Sequence, residues 1–538
     1  MSYNTKAVIT LQVGHYSNFV GTHFWNAQDH SLFVPKDTND LDHDVLFREG
    51  VTMSGNTPTY TPRLVSVDLK GALGSLPEFG DLYFETGSLP KTDLSAQASK
   101  NWHYQVDVQR EETVRKSKFL QGLEASEKVD EEGKDICTTT TSPDAKHSFE
   151  DCQSLDQEVR LWSDYARCRY HPKTNVVLDH QHANANDPFD VYGFGTNAWN
   201  AISDEFEDRL RFFAEEADFL KGFQLLTDAT DAFGGVSSSV CDFLQDDYNA
   251  QSILTFPTIP SFYHETMDAL KSTGKMLNLA LALRSLSENS NLITPLSMSN
   301  ETFPLRGMEA RSLPSINYNP QLHYNSSAVL SLAFDAMTLP WRMLKGPYAS
   351  PSEVAAGLSA YGRKFTSMQL VAPFAKPFKD KLKPYLQTYN LNDSISLSPH
   401  TKPDFEKVWC QSVSVRGING SENGHLDFLS YFDRVMTKTA SAVTTSKCPV
   451  QLKMPFPVHM LGTPYWDPVD KTIPIMTLWQ SSREAGNIIK ILSERVAKIN
   501  LSKFHRYEEA GLDQDTLMDT IEDLHKLSEN YEPISDAM

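Results

Sequence analysis

The sequence predicts an α/β fold: a domain with a parallel sheet over residues 1–345, a smaller α+β domain over 346–485, and C-terminal helices over 486–538. Three observations carry this expectation. Apolar runs of strand length alternate with helix-patterned segments through the first half, the order that builds a parallel sheet covered by helices. Gly346-Pro-Tyr-Ala-Ser-Pro351 is a turn-rich break after which the texture changes. Near the end, Leu517, Ile521, Leu524 and Leu527 share one helical face and, with Ala485 to Val496, read as terminal helices packed on a core.

The elements follow in chain order. Ala7-Val-Ile-Thr-Leu-Gln-Val13 is a strand, Gly14-His-Tyr-Ser-Asn18 a tight turn, and Phe19-Val-Gly-Thr-His-Phe-Trp25 the start of a helix. Such a unit aims the unpaired N–H groups of the helix beyond the strand end, where phosphates are commonly held. Leu64-Val-Ser-Val-Asp-Leu69 is the next strand. From about 120 to 155 the chain turns polar, charged and nonperiodic, including Thr138-Thr-Thr-Thr-Ser-Pro143, and reads as a disordered surface insertion. Order resumes at Val159-Arg-Leu-Trp-Ser-Asp164. Phe206, Leu210, Phe213, Ala217 and Leu220 then mark an amphipathic helix, with Asp204, Glu205, Glu207 and Asp208 toward its N-terminal end. A strand at Gly222-Phe-Gln-Leu-Leu226 leads into a loop, Phe233-Gly-Gly-Val-Ser-Ser-Ser239, and a helix through Asp242. Ile253 to Pro257 is strand-like, Leu270 to Leu286 helical, and Ser327 to Met337 a central buried helix. The second domain offers a helix at Glu353 to Tyr361, an apolar segment at Met368 to Pro373, a polar loop at about 388–402, and a strand at Val408 to Val415 ending in Arg416-Gly417.

Composition narrows the function classes. A net charge of −20 without a basic run argues against nucleic acid, whose phosphates need a clustered Lys/Arg face. No stretch of 18 apolar residues marks a membrane-spanning helix. The first residues lack a signal peptide's apolar core, and Lys6 is the only basic residue before the first strand, so the expected location is the cytoplasm, with any membrane association peripheral. Six scattered cysteines without a C-x-x-C pair read as reduced thiols. His180 and His182, in Asp179-His-Gln-His182, lack a further ligand pair nearby in sequence and read as a polar loop, and no metal is expected. Gly193-Phe-Gly195 is too short to specify a nucleotide turn.

The spelling adds a resemblance. Gln12-x-Gly14-x-x-x-Asn18-x-x-Gly21-x-x-Phe24-Trp25 resembles the opening of tubulin, and the fuller run from Leu11 to Asn26 resembles the Misato family of divergent tubulin relatives. Further segments fall in the same order: Tyr60-x-Pro62-Arg63 with Val67-Asp68-Leu69, Asn101-Trp102, Asp218 to Leu225, Arg416-Gly417, and Phe504-His505-x-Tyr507-x-x-x-Gly511-Leu-Asp513. The resemblance implies a tubulin-like, nucleotide-binding-type first domain. Its vestigial nucleotide-binding set would be Gly14, His15, Tyr16, Asp68, Gly234, Gly235, Ser237 and Asn325.

This chain keeps Gly14 and Asp68 but departs from tubulin around much of that set. The glycine-rich phosphate loop becomes Phe233-Gly-Gly-Val-Ser-Ser-Ser239, with two glycines left to form an anion nest, and reads as a structural turn. His15-Tyr16 replaces Gln-Cys in the first loop, and Lys70 replaces the carboxylate after Asp68, which weakens a magnesium site. Asn325 aligns with the asparagine that reads guanine, or else caps a helix. The acidic hydrolysis segment is missing from Ser350 to Gly357, where Glu353 is a lone acid in a first helical turn. The expectation is therefore a pseudo-GTPase without catalytic residues, cofactor or metal. Misato resemblance implies a regulator of mitochondrial distribution, morphology and fusion, and of mitotic spindle assembly. Its implied partners are tubulin, the cytosolic chaperonin and mitochondrial outer-membrane proteins, with peripheral association at that membrane. The alternative is a GTP-binding tubulin homologue that assembles or binds tubulin dimers.

Overall fold

Helix-containing crossovers separate most strands of the first domain's main sheet, so these strands run parallel. The computed structural model describes residues 6–35, 37–51, 58–76, 114–131, 155–184, 186–263, 267–302, 310–346, 348–374, 386, 390, 394–402, 407–417, 424–462 and 471–532. Its first half contains β1 (Lys6–Val13), α1 (His15–Leu32), β2 (Phe47–Val51), β3 (Pro58–Pro62), β4 (Leu64–Lys70), α2 (Lys118–Glu131), β5 (Asn175–Gln181), α3 (Tyr192–Glu215) and β6 (Phe219–Asp228). It continues through α4 (Phe233–Asp247), β7 (Ser252–Ile259), α5 (Ala269–Asn289), β8 (Leu292–Ile293), β9 (Leu296–Ser297) and α6 (His323–Met337).

The main sheet has the order β5-β4-β1-β6-β7-β8, with β9 pairing β7, and every pairing is parallel. β2 and β3 form a separate antiparallel hairpin. Side chains alternate between two cores. Ile9, Leu11, Val13, Phe223 and Leu225 face the helices α3, α4 and α5, while Val8, Leu226, Leu254 and Phe256 face α1 and α6. Burial on both faces is why these strands read as unbroken apolar runs.

The second half contains α7 (Pro351–Leu358), β10 (Ser367–Val371), β11 (Ile395–Ser396), β12 (Val408–Arg416), α8 (Gly424–Val435), β13 (Ala440–Ser446), β14 (Val450–Gln451), β15 (Thr472–Ile473), β16 (Ile475–Ser482), α9 (Asn487–Val496), α10 (His505–Glu509) and α11 (Gln514–Glu529). Its five-stranded sheet runs β11-β10-β16-β12-β13, antiparallel except for β12 with β13; β14 and β15 pair separately. α6 lies between the two sheets. Phe334 meets Phe24 of α1 at 4.9 Å and Phe256 of β7 at 5.3 Å, and Phe256 meets Trp479 of β16 at 5.8 Å. α6 is buried on every side from Tyr324 to Met337, its polar residues Asn325, Ser326, Ser327, Ser331 and Asp335 included. α9 and α11 return to the first domain and share a core with α5; nearby, the Tyr507 hydroxyl donates to Gly274 O at 2.6 Å and Asn278 Oδ1 at 2.9 Å.

Several elements differ from expectation. The helix read around Phe206 to Leu220 begins at Tyr192 and stops at Glu215, and Leu220 belongs to β6; an apolar strand residue happened to continue the helical period. Phe233 to Ser239, read as a loop, is the first half of α4. The segment from about 120 to 155 opens with α2, while 132–154 and Asn101-Trp102 lie outside the described residues. β16, the centre of the second sheet, was not anticipated: Ile475 to Ser482 mixes apolar with hydroxyl and amide residues, yet all eight are buried.

Candidate functional site

The C-terminal ends of β1, β4, β5 and β6 meet the N-terminus of α1, where parallel α/β sheets hold their ligands. Gly14 makes the turn. Its N–H donates to Val67 O at 3.0 Å, its carbonyl accepts from Asn18 N–H at 3.0 Å, and its φ of 113° lies in the region that glycine enters without strain. A Cβ at Gly14 would stand 2.6 Å from Asp228 Cγ, so close approach requires glycine as well.

That neighbour is the main feature that sequence reading missed. Asp228 ends β6 and turns its carboxyl group onto the start of α1. Tyr16 N–H donates to Asp228 Oδ2 at 2.7 Å, and Ser17 N–H donates to Oδ1 at 2.8 Å. The Thr258 hydroxyl donates to Oδ1 at 2.7 Å. Thus first-turn donors of α1, the groups that would grip a phosphate, are satisfied by the chain itself. Burial and the nearby Asp231 push the Asp228 carboxyl well up, against the pull of its three donors. Asp231 precedes the next helix, whose N-cap is Ala232, and accepts from Phe233 N–H at 3.0 Å; burial raises it to about 6, with Lys275 pulling it down.

The glycine pair is committed elsewhere. A Cβ on Gly235 would run into the backbone carbonyl of Tyr192 in α3, and one on Gly234 would lie 2.9 Å from Ala282 Cβ in α5. These glycines let three helices approach one another. Ser237 Oγ sits 2.5 Å from Thr227 Oγ1 in a buried hydroxyl pair. Asn325 is inside α6, whose N-cap is Leu322, so it is not the cap. Its amide donates to Asp156 Oδ1 at 2.8 Å and accepts from Asn319 N–H at 3.2 Å. Tyr16 is buried, and its hydroxyl donates to Ser326 Oγ at 3.0 Å. Glu353 forms a capping box with Ser350, accepting from Ser350 N–H at 2.6 Å.

His15 and Asp68 do come together, with His15 Nδ1 3.3 Å from Asp68 Oδ2. Burial would raise Asp68, but His15 and the hydrogen bonds from Asn18 and Leu69 hold it below the usual carboxylate range. Trp162 Nε1–H also donates to Asp68 Oδ2, at 2.7 Å. The structure corrects the reading of Asp179 to His182 as a polar loop: His180 lies in β5, and His182 follows it with its ring 4.2 Å from that of His15. Only the fold brings His182 to this edge, because 166 residues of chain separate it from the turn after β1.

This parallel sheet with its glycine turn, set beside a mixed second sheet, defines a tubulin-like protein. A family model described as the Misato Segment II tubulin-like domain matches residues 6–125, and one described as a tubulin domain matches residues 152–343. The chain belongs to the Misato family. It is 34% identical over 446 residues to protein misato homolog 1 of Danio rerio, covering 78% of this chain and 73% of that protein. It is 28% identical to protein misato homolog 1 of Homo sapiens over 99% of both chains, and 28% identical to protein misato of Drosophila melanogaster over 98% of both. Among the described residues no helix is long and apolar enough to cross a membrane.

Proposed function

We propose that this chain is a non-enzymatic tubulin-like adaptor, a pseudo-GTPase that works through protein contacts. The observation that carries this reading is the Asp228 carboxyl group, bonded to the Tyr16 and Ser17 N–H groups at the start of α1. A nucleotide phosphate would have to displace a buried acid that already satisfies those donors. The packing role of Gly234 and Gly235 and the Asp156 partner of Asn325 support the same reading. Calorimetric titration of the full chain with GTP and Mg²⁺ tests it. The expected result is no binding at micromolar nucleotide; micromolar affinity would favour the GTP-binding tubulin homologue, and turnover would overturn the non-enzyme reading.

Membership of the Misato family supports a role in mitochondrial distribution, morphology and fusion, and in mitotic spindle assembly, with tubulin, the cytosolic chaperonin or mitochondrial outer-membrane proteins as partners. In this reading the protein is cytoplasmic, with a peripheral fraction at the mitochondrial outer membrane. Alkaline carbonate should release that fraction from isolated mitochondria. Retention in the membrane pellet would contradict peripheral attachment.

A further inference from the structure

His15, Asp68 and His182 reach one point from three elements: the first residue of α1, the end of β4 and the turn after β5. One ligand atom from each lies within 4.8 Å of the others. The 3.3 Å between His15 Nδ1 and Asp68 Oδ2 is long for a charge-assisted hydrogen bond. It matches the spacing of two donors on one tetrahedral ion whose bonds are about 2.0–2.2 Å. His182, in the turn after β5, brings the third ligand atom within 4.8 Å of the other two.

The surroundings are those of a held ligand set. Asp68 Oδ2 accepts from Trp162 Nε1–H at 2.7 Å and Asn18 Nδ2–H at 3.0 Å, and Oδ1 accepts from Leu69 N–H at 2.8 Å. Outer hydrogen bonds of this kind fix a ligating carboxylate. His15 keeps 19% of its side chain open, leaving a solvent-facing side to the cluster. Two imidazoles and one carboxylate favour Zn²⁺ and its neighbours over Mg²⁺ or Ca²⁺, which take oxygen ligands.

We propose that His15, Asp68 and His182 bind one divalent transition-metal ion of the zinc class, with water in the fourth position. The ion replaces the long His15–Asp68 contact with two coordinate bonds. The site does not depend on whether GTP binds.

The test uses the full chain, stripped with chelator and titrated without nucleotide, by calorimetry with Zn²⁺ and by visible absorption with Co²⁺. One equivalent should bind, and Co²⁺ should give the absorption of a four-coordinate nitrogen and oxygen site. His15→Gln and His182→Gln should each weaken binding by at least about tenfold, the loss that outer-shell changes alone bring. His180→Gln, whose ring packs on Phe189 at 4.8 Å, should leave it unchanged. Circular dichroism melting of the metal-free variants separates loss of a ligand from loss of fold; if His15→Gln unfolds, His182→Gln in its turn decides. Unchanged affinity in the folded histidine variants, or no equivalent bound at micromolar metal, would overturn the site.

Discussion

A carboxyl group at a helix N-terminus serves the helix or a ligand, and Asp228 serves the helix. Asp228→Ala removes the acceptor of the Tyr16 and Ser17 N–H groups and leaves them buried, at a cost of about 1–3 kcal/mol. The cost should depend on pH. Asp228 has a raised pKa in the fold, above the unfolded value of about 3.9, so between the two values the native state binds the extra proton. The stability it contributes is therefore greatest at low pH and declines as pH rises through the folded value. Urea unfolding of wild type and variant should show a larger deficit at pH 5 than at pH 8; a deficit that grows with pH would mean the carboxyl is ionised in the fold. Sequence points to Gly14 and Asp68 because tubulin's spelling is kept there, and to His15 and Tyr16 by their place in the same turn. It was silent on Asp228 and Asp231, since an acid between a strand and a helix is commonplace and only the 2.7 Å bond to Tyr16 gives it a role.

At the level of elements, legibility followed periodicity. β1, β4, β7, α5 and α6 were readable because burial on one or both faces leaves a plain apolar signature. In sequence α3 reads as starting late and the start of α4 as a loop, for one physical reason. Gly193, Gly195, Gly234 and Gly235 read as turn residues, yet all four lie inside these two helices. Cβ atoms on Gly195 and Gly235 would strike Ala232 O and Tyr192 O across the α3–α4 contact. Glycine there is a demand of close packing, which local propensity cannot express. β16 was missed for the opposite reason: its Thr477, Gln480, Ser481 and Ser482 look solvent-facing, and they are buried between β10 and β12.

Across the whole molecule, the joint between the two sheets is polar at its centre. Asp335 of α6 is ion-paired with Arg342 at 3.1 Å and with Arg416 at the end of β12, and Gln28 of α1 donates to it. Burial would raise its pKa, but Arg416 and Arg342 hold Asp335 below the ordinary carboxylate range. Arg416 also donates to Cys448 O at 3.0 Å and Ser31 Oγ at 3.2 Å. Asp335→Ala would leave two fully buried guanidinium groups without their anion, so it should cost about 3–5 kcal/mol in denaturant unfolding; a loss below about 1 kcal/mol would mean that the joint rests on its aromatic contacts. Arg416-Gly417 reads in sequence as a strand end and a family-like spelling, and nothing local shows that the partner of Arg416 lies 81 residues away. The sequence by itself determined the family and the parallel α/β start, because the spelling from Leu11 to Asn26 and the apolar periods are local properties of the chain. Only the tertiary structure decided that Asp228 occupies the α1 terminus, that the glycines of α4 serve helix packing, and that His182 joins His15 and Asp68. Each depends on groups distant in sequence meeting at one sheet edge, and distance through space is set by the packed fold.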